Sequence, residues 1–335
     1  MPRHLVTRAV DHGVRFLLAN QSADGLWRDF DTPAGEASYW PTGFVGTALH
    51  TAGVGDESLG PAAEALVASQ NDDGGWGYNE DVPTDSDSTA WVLMFLTRIG
   101  GHEASCRRAV ACLSRHQRAK DGGFATYASA RPIRRFTGMR WMPFWGWCRP
   151  HAEITAAAGL ALAGVDMEPS APSIDAALRF VCQQQHANGH WSSYWWTSPH
   201  YATAQAAEFV RICDRRDLAD RAARWALCTQ GDQGGWAVGG SCSAFATAMA
   251  LGILVNGATT GPPIDRAIEC LVALQRADGR WPCAPIMRIP VPAQLFPERD
   301  ERWRPIRFSG GADVVDQHSL FTSAACVAAL ARTRN

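Results

Sequence analysis

The stretch SQNDDGGWGY, residues 69–78, holds a glutamine, a glycine and a tryptophan in the spacing Gln-x-x-x-Gly-x-Trp. The phrase recurs as NQSADGLW ending at Trp27, QQHANGHWSSYW with Trp191, TQGDQGGWAV with Trp236 and LQRADGRWPC with Trp281. A further copy, HQRAKDGGFATY, has one extra residue and Phe124 in the aromatic place. Aromatics at 27, 76, 124, 191, 236 and 281 lie 49, 48, 67, 45 and 45 residues apart, a period that marks a repeat architecture.

Each copy follows an amphipathic Ala/Leu-rich run such as PAAEALVASQ or AIECLVALQ, apolar at helical spacing. The glycine after the glutamine is expected to supply the helix-terminating turn. A second helix follows each time: YWPTGFVGTAL, DSTAWVLMFL, AEITAAAGLAL, YATAQAAEFV, FATAMALGIL and LFTSAACVAAL. These align on Thr42, Thr89, Thr155, Thr203, Thr247 and Thr322. They are small and apolar on nearly every side, which suits an inner ring buried within an outer one. The expected fold is all-α, an α6/α6 toroid of six helix–turn–helix repeats. A solenoid of helix pairs is the rival, because the period also matches HEAT-like units. The expected organisation is one toroid over residues 1–335, with insertions at about 125–150 and 282–315.

Composition narrows the function. A net charge of −2 with no Lys/Arg run argues against nucleic acid and against a polybasic anchor. The ten cysteines form no Cys-x-x-Cys pair, so no zinc knuckle or dithiol motif is read, and no metal ligand set is assigned. With no secretory h-region after Met1 and no run long enough to span a bilayer, the expectation is a cytoplasmic protein with reduced thiols. Fourteen tryptophans are many for this length; they pack a core or line a pocket for apolar or cationic ligands.

The glutamine–tryptophan phrases resemble the QW repeats of terpenoid cyclases, including squalene–hopene and oxidosqualene cyclases, and occur over nearly the whole chain. Related repeats are found in protein prenyltransferase β subunits. The stretch DSDSTA, residues 85–90, resembles the Asp-x-Asp-Asp-Thr-Ala motif of class II terpene cyclases, which begin by protonating an alkene or epoxide. The resemblance implies Asp87 as proton donor and Asp85 as the motif's first aspartate; Thr89 and Ala90 match directly. Ser88 departs from it, standing where many members have a third aspartate and oxidosqualene cyclases a cysteine. Size departs too, since bacterial squalene cyclases and class II diterpene cyclases generally carry two toroids.

From the residues alone, Asp85–Ser88 reads equally as a helix cap, since Asp and Ser are favoured there. Yet the other five inner helices begin without an aspartate pair. Two positions before each aligned threonine stand Trp40, Asp87, Glu153, Tyr201, Phe245 and Leu320; four before stand Ser38, Asp85, His151, Pro199, Ser243 and His318. A ring of aromatics with two carboxylates suits cation chemistry. Asp85 would raise the pKa of Asp87 and keep it protonated. Trp40, Tyr201 and Phe245, with Trp91 and Trp145, would contact substrate, each ring face worth about 0.5–2 kcal/mol to a passing cation. Glu153, His151 and His318 are candidates for proton relay or final base, against satisfied polar groups at helix starts.

The 67-residue interval hides a segment, residues 128–153, rich in arginine and aromatics. It reads as a surface loop or as a lid whose Arg134, Arg135 and Arg140 hold a diphosphate. Residues 282–311, with six prolines, read as a second irregular flap. The expected function is a class II cyclase acting on a linear isoprenoid or isoprenoid-bearing substrate, with no required cofactor. Mg²⁺ enters only with a diphosphate substrate; peripheral membrane contact stays compatible and the oligomeric state open. The rivals are a non-catalytic apolar-ligand binder or partner module on the same toroid, and a prenyltransferase β-like subunit. The last needs a zinc site of Asp, Cys and His, for which Asp316 and His318 have no matching cysteine.

Overall fold

In the computed structural model, residues 3–165, 170–299 and 311–334 are described. The first three repeats hold α1 (Arg3–Ala19), α2 (Tyr39–Thr51), α3 (Asp56–Ala68), α4 (Ser86–Ile99), α5 (Glu103–His116), the inserted α6 (Ala130–Thr137) and α7 (Ala152–Ala163). There follow α8 (Ala171–Gln184), α9 (His200–Ile212), α10 (Arg216–Thr229), α11 (Ala244–Asn256), α12 (Pro262–Leu274) and α13 (Leu320–Arg332). The inner helices α2, α4, α7, α9, α11 and α13 pack in that order, and α13 closes the ring on α2. The fold is therefore an α6/α6 toroid and not an open solenoid. Three two-stranded hairpins sit between a repeat turn and the next inner helix or in the flap: β1 (Asp29–Thr32) with β2 (Gly35–Ala37), β3 (Trp236–Val238) with β4 (Ser241–Ser243), and β5 (Pro285–Ile289) with β6 (Ala312–Val315). No helix among the described residues is long and apolar enough to cross a membrane.

The repeat phrase is a hydrogen-bonded clamp. Outer helices α5, α8, α10 and α12 end at the glutamine itself, whose backbone turns extended, four or five residues before the expected glycine stop. The glutamine amide donates to the turn glycine's carbonyl and to a carbonyl near the start of the next outer helix, as Gln70 does to Gly74 and Ser105. Gln275 makes the same bond to Ala9, so the ring closes through the motif that builds it. The tryptophan indole donates back to its own outer helix, Trp76 Nε1 to the Leu66 carbonyl at 2.8 Å. The glycine has a backbone reason: Gly74 has φ +86° and a Cβ there would stand 2.6 Å from the Arg108 carbonyl.

The clamp reaches inward through a hydroxyl. The aromatic's backbone N–H donates to Thr42, Thr89, Thr155, Thr203 and Thr247 in the first five repeats, at 2.9–3.1 Å. In the sixth it donates to Ser323, at 3.1 Å, and not to Thr322. The last inner helix is thus offset by one residue from the sequence alignment, because adjacent hydroxyls at 322 and 323 look alike on paper. Phe321 and Ser319, not Leu320 and His318, occupy its ring positions. Small residues let the ring close tightly. A Cβ on Gly43 would lie 2.6 Å from the backbone of Trp91 in the next helix.

Two substitutions test the offset. Ser323→Ala strands the buried Trp281 N–H and is expected to cost roughly 1–3 kcal/mol. Thr322→Val removes a buried hydroxyl that accepts no backbone N–H of the repeat turn, and is expected to cost less than Ser323→Ala. Chemical denaturation of both variants reads the difference; equal costs would restore the original register.

Candidate active site

At the N-terminal mouth of the inner ring lies a cavity of about 410 Å³. Trp40, Asp85, Asp87 and Ser88 form its floor with Trp196; Tyr78, Tyr127, Trp147 and Trp195 form its sides. Both sequence insertions contribute wall. Ile133 and Phe136 of α6 line it from one side, Met287 and Ile289 of β5 from another. The two segments lock together, since Trp147 Nε1 donates to the Pro290 carbonyl at 2.9 Å and the Gly146 N–H to the Pro292 carbonyl. The stretch after Phe124 is therefore part of the cavity wall and not only a surface loop. Residues 300–310 of the second flap lie outside the described residues.

The start of α4 separates the two aspartates by role. Asp85 is the N-cap: Oδ1 accepts the Ser88 N–H at 2.7 Å and Oδ2 the Ser88 hydroxyl at 2.8 Å. Its own N–H donates to the Trp76 carbonyl, and Thr89 Oγ1 donates to the Asp85 carbonyl while accepting from Trp76. The clamp thus fixes where α4 begins. The Asp87 side chain, two residues on, takes no part in the cap, and its enclosed Oδ1 has no hydrogen-bond partner among the described residues.

Desolvation holds the Asp87 carboxyl well above the usual carboxylate range, with the Asp85 and Glu153 charges adding to it. Burial, and not the expected Asp85 charge, is the larger cause. Burial also pushes Asp85 up to about 7, against the opposing pull of the Ser88 hydrogen bonds. Ser88 therefore acts on Asp85 and reaches Asp87 only through it.

Glu153, at the same ring position on α7, accepts the N–H groups of Tyr194 and Trp195 on Oε1, at 2.5 and 3.0 Å. Its Oε2 is buried without a partner, and burial raises its pKa to about 7. It lines a second, polar cavity that it shares with His151, Glu298 and Arg299. His151 stacks on Tyr194 at 3.8 Å, with Nε2 2.8 Å from the Gly146 carbonyl. Burial drives its pKa down to about 3, so it is neutral at pH 7. With Nε2 donating to that carbonyl, Nδ1 is left as acceptor.

The remaining candidates divide. Trp40 lines the cavity, but Tyr201 and Phe245 lie behind Trp196, which stacks on them at 4.0 and 5.4 Å. Trp91 donates from Nε1 to the Tyr201 hydroxyl and faces the far side of the ring. Trp145 is 67% exposed and does not line the cavity. Arg134 rests over the Phe144 ring, and Arg135 and Arg140 are exposed; none of the three lines the cavity. His318 is partly exposed and pairs with Glu36 at 2.8 Å, a consequence of the register offset. Tyr78, Tyr127, Trp195 and Trp196 were missed. Each follows a repeat aromatic by two to five residues, in the short link that leads over the mouth to the next inner helix.

The raised carboxyls give stability a sign. Unfolded, they titrate near 4; folded, Asp85 and Glu153 hold their protons to about 7. The folded state keeps protons that the unfolded chain has lost, so this contribution is full below about pH 4 and is lost as pH rises through 7. Asp87→Asn removes one such group. Its melting temperature is expected to fall less between pH 5 and pH 8 than that of the parent protein, by at least about 2 °C. Thermal melts across that range check it.

Residues 78–294 match the squalene-hopene cyclase C-terminal domain family. A drimenyl diphosphate synthase from Streptomyces showdoensis is 30% identical over 267 residues, 75% of this chain and 46% of the relative. The chain spans less than half the length of the curated relatives it matches. A type II terpene cyclase from Scytonema, MstE, solved with its substrate geranylgeranyl dihydroxybenzoate, superimposes with a TM-score of 0.90 at 28% identity, covering 99% of this chain and 98% of that one. The same cyclase with its product merosterolic acid A gives 0.89 at 27% identity, with the same coverage. With residues 78–294, about two thirds of its length, matched, the chain belongs to the squalene-hopene cyclase C-terminal domain family.

Proposed function

We propose that the protein is a protonation-initiated terpenoid cyclase acting on a linear isoprenoid or an isoprenoid-bearing molecule, with Asp87 as the general acid. The observation that carries this reading is the Asp87 carboxyl, unpartnered and desolvated, at the floor of a cavity walled by aromatic rings. Protonating an isolated alkene requires an acid that is neutral at the working pH and has no competing acceptor. Burial keeps the proton on Asp87 until a carbon takes it. The faces of Trp40, Trp196, Tyr127, Trp147 and Trp195 then stabilise the cation as ring closure moves it along the chain. Asp85 and Ser88 hold the acid's helix turn in place. Loss of a proton from the final cation ends the reaction, so product and substrate have equal mass.

Glu153 is the group we assign to proton return. It lines the polar cavity, raises the Asp87 pKa by its charge and has a buried oxygen with no hydrogen-bond partner among the described residues. His151 lines the same polar cavity and is neutral at pH 7, with Nδ1 left as an acceptor. Mg²⁺ belongs to this scheme only as counterion of a diphosphate substrate.

The test is incubation with geranylgeranyl diphosphate, farnesyl diphosphate, the free polyprenols and geranylgeranyl dihydroxybenzoate, read by chromatography with mass spectrometry. New products of unchanged mass are expected from at least one class. Asp87→Asn is expected to lower turnover by roughly 10²–10⁴-fold while the protein stays folded and still binds substrate. An unchanged product profile in that variant would favour a different acid, and binding without turnover in the parent would favour the non-catalytic apolar-ligand reading. Glu153→Gln is expected to lower turnover less and to shift its pH profile.

A further inference from the structure

Behind the aromatic floor, the C-terminal halves of all six inner helices enclose another cavity of about 370 Å³. It is separate from the first. Phe44 and Trp91 roof it, and they meet the floor of the Asp87 cavity through the Phe44–Phe321 stack at 3.8 Å and the Trp91–Tyr201 hydrogen bond at 2.9 Å. Its volume is at the lower end of small-molecule pockets, roughly 300–1,000 Å³.

Three observations say that this space is built for a ligand. The first is a pair of buried polar side chains aimed into it without partners. Thr47 is 8% exposed with its enclosed hydroxyl unpartnered, and Gln205, a residue 7% exposed, lines the space with no hydrogen bond to its side chain among the described residues. A polar group hidden this way costs free energy unless something meets it.

The second is Gly252. Other inner-ring glycines are required by packing: a Cβ on Gly43, Gly46 or Gly159 would collide with the next helix at 2.4–2.6 Å. Gly252 is different, because a Cβ there meets nothing within 4 Å. A glycine inside a helix costs about 0.5–1 kcal/mol relative to alanine, and here the only thing it preserves is open volume.

The third is charge. At the rim Arg332 is tied to Glu208 by a two-bond pair at 2.9 and 3.1 Å. Arg98 adds a second guanidinium, whose hydrogen bond among the described residues is to the Met94 carbonyl of its own helix. Two cations thus face one carboxylate. Between rim and depth the walls are apolar: Met94, Leu160 and Met249 with Phe44 and Trp91. Gln205 lies nearly two turns inside the end of α9, about 10 Å below the rim.

We propose that this cavity binds a small amphiphilic anion: its charged head on Arg98, its apolar body between the inner helices, and a polar atom at its inner end on Gln205 and Thr47. The site is distinct from the Asp87 cavity and does not depend on the reaction proposed for it.

The probe is 10-hydroxydecanoate, compared with decanoate and 1-decanol, titrated by calorimetry into the full chain and into Arg98→Gln and Gly252→Leu. Expected are one-to-one binding with 10-hydroxydecanoate tightest and 1-decanol weakest, at least tenfold loss in Arg98→Gln, and no binding in Gly252→Leu. Circular dichroism confirms that each variant is folded; the rim substitution carries the test alone if the interior one is not. Absence of binding overturns the proposal. So does binding indifferent to both substitutions, which places the probe in the Asp87 cavity, and equal affinity for 1-decanol, which removes the anion site.

Discussion

A hydroxyl beneath each repeat aromatic is the constraint on which the rest of the molecule depends. It accepts the aromatic's backbone N–H, and the indole and the glutamine amide tie the same turn to its own outer helix and to the next one. These are buried amides, so each bond left unmade would cost about 1–3 kcal/mol, and six of them set the phase of every inner helix. In the second repeat the phase becomes chemistry. With the Asp85 N–H on the Trp76 carbonyl and Thr89 beneath it, α4 can begin only at Ser86. Asp85 is consumed as the cap, and Asp87 is left facing the cavity with nothing to bond.

The other organising feature is the aromatic partition across the ring. Phe321 is its hub, touching Phe30, Trp40, Phe44, Trp196 and Phe245 at centroid distances of 3.8–5.7 Å. It divides what a toroid would otherwise leave as one channel into two chambers of opposite character. The N-terminal chamber receives the positive ends of the inner helices and holds carboxylates. The C-terminal chamber receives the negative ends and holds arginines. Each chamber therefore sets charged side chains against helix dipoles of opposite sign, but only the first desolvates a carboxyl without a partner.

Much of the site was legible because the repeat assigns places. Once Thr89 is aligned, Asp87 and Glu153 are found together as the two carboxylates in a ring of apolar groups; Asp87 lines the aromatic cavity, whereas Glu153 lines the polar one. The ring failed where the alphabet was ambiguous: Thr322 and Ser323 offer the same hydroxyl one residue apart, and the choice moved Phe321 into the ring and His318 out to a surface pair with Glu36. It failed again at Trp196, Tyr127 and Tyr78, because links between helices carry no periodicity from which to infer a facing. The arginines of the 128–153 segment look like anion ligands in one dimension. In three, α6 presents Ile133 and Phe136 to the cavity and leaves Arg135 to solvent.

By itself the sequence determined the number of repeats and the helix–turn–helix unit each one builds, because these rest on local bonds between residues at fixed spacing; closure of the ring waited on α13 packing against α2 and on Gln275 reaching Ala9. Glutamine, glycine, aromatic and hydroxyl can meet in only one way within a helix–turn–helix unit. Tertiary structure alone decided which aromatics face the cavity, that burial more than Asp85 keeps Asp87 protonated, and that Glu153 lines the polar cavity and not the aromatic one. Those properties depend on what elements distant in sequence exclude from one another's surfaces, above all water, and exclusion is not written at any single position.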